Sequence, residues 1–150
     1  MNTLYKLIDK MQTELKSNKL IKTVTMGDIT DVDLNKTTIF PLAHISLGDS
    51  SISENTIAVS MNIMLMDIVD INKEAEDGFL GNDNEVDVLN SMLSAGTRVV
   101  QGFQRGSGYQ EGYQASGEAQ VEFFTDRFED KLAGVSIDFQ VELSNISEVC

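Results

Sequence analysis

Leu4, Leu7, Ile8, Met11 and Leu15 recur at three- and four-residue spacing near the start of the chain, which gathers them on one stripe of a helix. The spacing predicts an α-helix from about Thr3 to Ser17, with Asn2 as its N-cap. Its lysines fall mostly off that stripe, so they are expected to face solvent or a partner. From Leu20 the period drops to two. IKTVTMGDITDVD alternates β-branched residues around Gly27, which suits a turn or bulge. TTIFPLAHISL follows, and because Pro41 cannot donate to a ladder, that run is expected on a sheet edge or at a bulge. GDSSISEN reads as a turn-rich loop. In IAVSMNIMLMDIVD, Ile57, Val59, Met61, Ile63 and Leu65 share one face while Ser60 and Asn62 occupy the other. At Met64 and Met66 the second face turns apolar as well, which predicts an end of this strand covered on both sides.

Val86, Leu89, Leu93, Val100 and Phe103, widened by Met92 and Val99, predict a second helix from roughly Asn84 to Arg105. RGSGYQEGYQASG then interrupts it with four glycines and reads as a flexible loop, in which Tyr109 and Tyr113 become contacts by ordering against another surface. Two strands close the chain. Ala119, Val121 and Phe123 alternate with Glu118, Gln120 and Glu122; Val135, Ile137, Phe139, Val141 and Leu143 alternate with Ser136, Asp138, Gln140 and Glu142. Such alternation gives each strand a buried face and a wet one, as in antiparallel sheets. The order of one helix, three strands, a helix and two strands predicts an α+β fold: a mainly antiparallel sheet of about five strands with two main helices packed on one face. Its 150 residues fit a single domain, 1–150, with a long acidic loop at about 70–84.

Charge changes the picture in one respect. The net of −13 argues against a nucleic-acid groove, because phosphate binding needs clustered cations to release counterions. Yet residues 1–22 carry five lysines (Lys6, Lys10, Lys16, Lys19, Lys22) against Asp9 and Glu14, a net of +3. Residues 67–87 carry eight carboxylates, among them Asp70, Glu74, Glu76 and Asp77, against Lys73, a net of −7. One end is basic and one limb is acidic. No apolar run reaches the roughly 20 residues that cross a bilayer, and MNTLYKLIDKMQ lacks the core of a signal peptide. A soluble protein made in a cytoplasm is expected. With Cys150 as the lone cysteine, no intrachain disulfide can form.

Catalytic signatures are weak. His44 is the single histidine, and its alternation with Phe40 and Leu42 marks a structural strand residue more than a general base. There is no G-x-S-x-G elbow. GSGYQEG lacks the Lys and Ser/Thr of a phosphate loop and follows a helix where a dinucleotide site needs a strand. The acidic limb fails as a calcium loop, since starting at Asp77 puts Phe79 at position 3, and starting at Asp83 puts Val88 where glycine belongs. No metal, cofactor or catalytic residue is therefore expected. As a plain linker the limb fails too, because Phe79 and Leu80 would stand exposed on it unless they dock on this chain or a neighbouring one.

TIFPLAHISL, MDIVD, GNDNEVDVLN and FTDRFEDKLAGVSIDFQV, taken in succession, resemble small proteins of tailed-bacteriophage structural genes: tail terminators, tail-completion proteins and related head-to-tail connectors. That resemblance covers most of residues 3–143. It implies an α+β, non-enzymatic virion component that forms a hexameric or dodecameric ring at the tail end or neck and contacts tail-tube, connector or portal-complex proteins. It carries no residue-by-residue roles. On the residues themselves, the expected subunit contact places Phe79, Leu80, Asp70, Glu74, Glu76 and Asp77 of one copy near Lys6, Lys10 and Lys16 of the next, with Tyr109 and Tyr113 as further contacts. Glu118, Glu122, Asp138 and Glu142 are expected to line a lumen through which DNA passes without sticking. The alternatives are a tail-tube or baseplate adaptor, and a small ligand-binding or enzymatic domain in which His44 is the residue to test.

Overall fold

The computed structural model describes residues 3–27, 39–54, 56–69, 85–106, 113–115, 117–127 and 132–144. Helix α1 (Thr3–Ser17) spans the predicted residues. Leu7, Met11 and Leu15 are its buried stripe, Ile8 flanks them, and Leu4 emerges partly into solvent. The helix stops at Asn18. The carboxamide oxygen of Asn18 accepts the Leu20 amide at 3.0 Å and its carbonyl accepts the Ile21 amide at 3.0 Å, turning the chain into β1 (Thr23–Met26). β2 (Leu42–Ile52) and β3 (Thr56–Ile68) form a hairpin, α2 runs Glu85–Arg105, and β4 (Tyr113–Ala115), β5 (Gln120–Arg127) and β6 (Leu132–Ser144) complete the described elements.

The fold is α+β, with a six-stranded mixed sheet in the order β1-β2-β3-β6-β4 and β5 also paired to β6. The sheet is mainly antiparallel as expected; β1 and β2 run parallel, Thr23 level with Leu42 and Met26 with Ile45. Two expectations change. β2 is not an edge strand. Pro41 lies one residue before it, and its carbonyl accepts the Lys22 amide at 2.9 Å, so the missing N–H costs the ladder nothing. GDSSI is strand, not loop: Ser50, Ser51 and Ile52 pair with Val59, Ala58 and Ile57 past a bulge after Leu47, and the turn moves to the Ser53–Thr56 link.

One core draws Leu7, Met11 and Leu15 from α1 and Val88, Met92, Val99 and Phe103 from α2 together with alternate residues of β2, β3 and β6. α2 turns a slightly different stripe inward than its sequence suggests, centred on Met92, Ala95 and Val99, and leaves Val86 exposed. Gly96 marks how closely α2 approaches the sheet, and Gly134 how closely β6 lies against β3. A Cβ on Gly96 would run into the side chain of Ile137, and one on Gly134 would run into the Leu65 carbonyl of the adjoining strand. On the opposite face, Met66 is fully buried in a smaller cluster with Phe40, Leu42, Phe124 and Leu132, so this end of β3 is covered on both sides as its sequence predicts.

β4 and β5 follow one another along the outer edge of β6, opposite 141–143 and 132–138 respectively, with Gly117 at φ 78° in the break between them. A positive φ is adopted at little cost by glycine. The expected loop over 106–117 is thus strand at 113–115. Tyr113 and Ala115 stand opposite Leu143 and Val141 and pack against the core, which is enough to add three residues to an existing edge.

Candidate functional site

Three surfaces deserve comparison. The first is the polar face of the sheet. His44, Met64, Ser136 and Glu122 form one row across it; Ser46, Asn62, Asp138 and Gln120 form the next. The Asn62 amide nitrogen donates to Ser136 Oγ at 2.8 Å and to Asp138 Oδ1 at 2.7 Å, tying β3 to β6 from the wet side. Beside it Gly48 and Ser60 are too small to fill their positions and leave a shallow depression of about 380 Å³.

His44 itself is fully buried. Its Nε2 lies 2.7 Å from the Gly27 carbonyl, which can only accept, so Nε2 carries a proton. Nδ1 lies 2.8 Å from Thr25 Oγ1, whose hydroxyl donates to it in the neutral ring. Both nitrogens are committed to β1 and the residue after it. A general base must reach a substrate proton with a nitrogen, and this ring offers neither; it clasps β1 to β2. Among the described residues no three His, Cys, Asp or Glu side chains are grouped so as to hold a metal ion.

The second and third surfaces are apolar and stand at opposite edges of the sheet. At the β1 edge, Leu4 and Tyr5 of α1 meet Met26 and Leu47, all four well exposed, around a groove of about 350 Å³. At the β5 edge, Val121 is 41% and Phe123 53% exposed. This overturns the expectation for Val121 and Phe123 as the buried side of their strand, while Ala119 does pack against the core; among the described side chains of β5 the buried one is Phe124, on the other face. The reason lies in the packing of α2, which rests on β3, β6 and β4. Between α2 and β5 a groove of about 410 Å³ opens, lined by Thr97, Gln101, Gln104, Ala119 and Val121.

Of the residues expected at a subunit contact, Phe79, Leu80, Asp70, Glu74, Glu76, Asp77 and Tyr109 lie outside the described residues. Lys6 and Lys16 are exposed on α1, whereas Lys10 is partly buried and pairs with Glu14 at 3.2 Å. Tyr113 is half-buried against the core of its own chain. Of the four carboxylates expected on the wet face, Glu122, Asp138 and Glu142 stand on it in register with β3 or β6 residues, and Glu118 is exposed just before β5. Sequence reasoning missed Met26, Leu47, Val121 and Phe123 as surface residues. Their alternation marks a face, and periodicity alone cannot say whether anything covers it. No helix among the described residues is long and apolar enough to cross a membrane. No protein-family model matches the chain, and no curated protein matches it in sequence.

Proposed function

We propose that this protein is a non-enzymatic structural component of a tailed-bacteriophage virion, forming a homo-oligomeric ring at the tail end or head-to-tail neck that joins or terminates the tail and lets DNA pass. The observation that carries the reading is the pair of unlike apolar edges on one sheet, Leu4, Tyr5, Met26 and Leu47 at one end and Val121 and Phe123 at the other. Two different patches on one chain suit a head-to-tail contact, which closes into a ring when the rotation between copies allows. The sequence resemblance to tail terminators and connectors supports a place at the tail end or neck. The partners are further copies of the chain and the adjoining tail-tube, connector or portal-complex proteins. Glu122 and Asp138 on the polar face are suited to a lumen, because like charge keeps a duplex from adhering.

His44 gives the enzymatic alternative no support, since both ring nitrogens are occupied by the fold. The experiment is mass by light scattering across a concentration series, with and without purified tail or neck assemblies, followed by negative-stain imaging. Closed rings of fixed number, or capture onto the assemblies, are expected. A protein that stays monomeric and binds neither tails nor necks would sink the reading.

A further inference from the structure

The two apolar edges fit one another in level, direction and face. We infer that they meet: β5 of one subunit lies beside β1 of the next copy, so that the sheet continues across the contact and each copy covers the other's exposed apolar residues. This deepens the ring reading and rests on it, since it names where neighbouring subunits touch.

Level comes from the strand register. Met26 stands level with Ile45, Ile45 with Ile63, Ile63 with Ile137 and Ile137 with Val121, an unbroken row from one edge of the sheet to the other. The neighbouring row runs Val24, Ala43, Leu65, Val135, Phe123. A copy set beside the first at the same height therefore brings Met26 against Val121 and Val24 against Phe123. Direction follows from the pairing senses. β1 is parallel to β2, and β2–β3, β3–β6 and β6–β5 are each antiparallel, so β5 runs opposite to β1. Without inverting the second copy, its β1 joins β5 as an antiparallel neighbour. All these side chains lie on the face that carries the main core, so the apolar face of one copy continues into that of the next.

A further observation favours a second copy over another occupant. Among the described residues nothing pairs the outer side of β1 or β5, and an unpaired edge bearing apolar side chains is a template for another strand; because the two edges run in opposite senses, a second copy supplies each with the antiparallel strand it lacks. A two-fold contact of β5 with β5 centred on Gln120 would instead set Glu118 against Glu122, where like charges oppose pairing.

The test is cysteine cross-linking in a Cys150→Ser background, so that no native thiol competes. Met26→Cys and Val121→Cys are placed on separate chains, mixed and oxidised, since residues directly opposite in an antiparallel pair come within disulfide reach. Val24→Cys with Phe123→Cys is the second pair, and Ile52→Cys, exposed on the far end of β2, with Val121→Cys is the collision control. The expected result is mixed 26–121 and 24–123 products that dominate over like–like products and over the control. Dominance of the 121–121 product, or mixed products no more abundant than the control, overturns the contact whether or not particles form. Imaging of the same samples separates this from the ring reading. Closed rings without the cross-link remove the contact and leave the ring; the cross-link in open filaments keeps the contact and removes the ring.

Discussion

Ile137 and Val121 face each other across β6 and β5, on the same face of the sheet and in the same row, yet Ile137 is 1% exposed and Val121 41%. Both belong to strands with strict apolar alternation. What separates them is the cover: α2 presses on the centre of the sheet so closely that Gly96 leaves no room for a methyl group against Ile137, whereas a groove stands open between α2 and β5. The same local signal thus produces a core in one region and an unfinished surface in the other. The centre is completed by α2, and Val121 and Phe123 at the edge stay exposed.

The sharpest way to break this comparison is to truncate large side chains on either side of it. Phe124→Ala should cost about 3 kcal/mol in urea or thermal unfolding, because it empties a buried cluster with Phe40, Met66 and Leu132. Ile137→Ala should cost about 2–5 kcal/mol by the same measurement. If either variant loses no more than a surface substitution does, the division between a packed centre and an open edge is wrong.

Next in size comes the spacing of the layers. Gly96→Ala should destabilise by about 1–3 kcal/mol, since the added carbon must displace Ile137 or move α2 outward. On the same helix Gly102 has nothing within 4 Å of its would-be Cβ. Gly102→Ala should therefore stabilise by about 0.5–1 kcal/mol through helix propensity alone. Opposite signs for one substitution two turns apart would locate where α2 touches the sheet.

The β1 edge is held by a polar clasp, and its strength is measurable separately. His44→Phe removes both ring nitrogens and strands the Gly27 carbonyl, a loss of about 1–3 kcal/mol. Thr25→Val removes one partner only and should cost less. Amide exchange in 23–26 should accelerate more than in β3 or β6 in both variants. Equal acceleration everywhere would mean that His44 supports the whole core instead of this edge.

How much of this was legible in the sequence divides along the same line. α1, α2 to within a residue at its start, and the buried faces of β3 and β6 follow from periodicity, because those elements bury an entire stripe or face and the pattern is complete. The parallel β1–β2 pairing does not follow, since a period of two marks a strand without naming its neighbour or its sense. GDSSI is composed like a turn, yet β3 offers it a ladder partner and the hairpin lengthens past a bulge. β4 has three residues, too few for any pattern, and exists because β6 extends beyond β5. For the candidate contact, the exposed Lys6 and Lys16 of α1 and the polar face follow from the pattern, whereas Val121 and Phe123 alternate like core residues on a strand where they stay exposed. Their alternation marks the face, and periodicity does not say what covers it.

The smallest stability effect has the most to say about that missing cover. Phe123 and Phe124 are adjacent, and Phe123 is 53% exposed where Phe124 is 7%. Val121→Ala and Phe123→Ala should each change monomer stability by no more than about 0.5 kcal/mol, as substitutions at open surface positions do. In an assembled sample the same two changes should raise the concentration needed for self-association, since large apolar anchors at a contact carry most of its energy. A near-zero effect on unfolding together with a clear loss of association identifies residues selected for a surface outside their own chain. An effect on unfolding comparable to that of Phe124→Ala would place them in the monomer's own core and close the open edge.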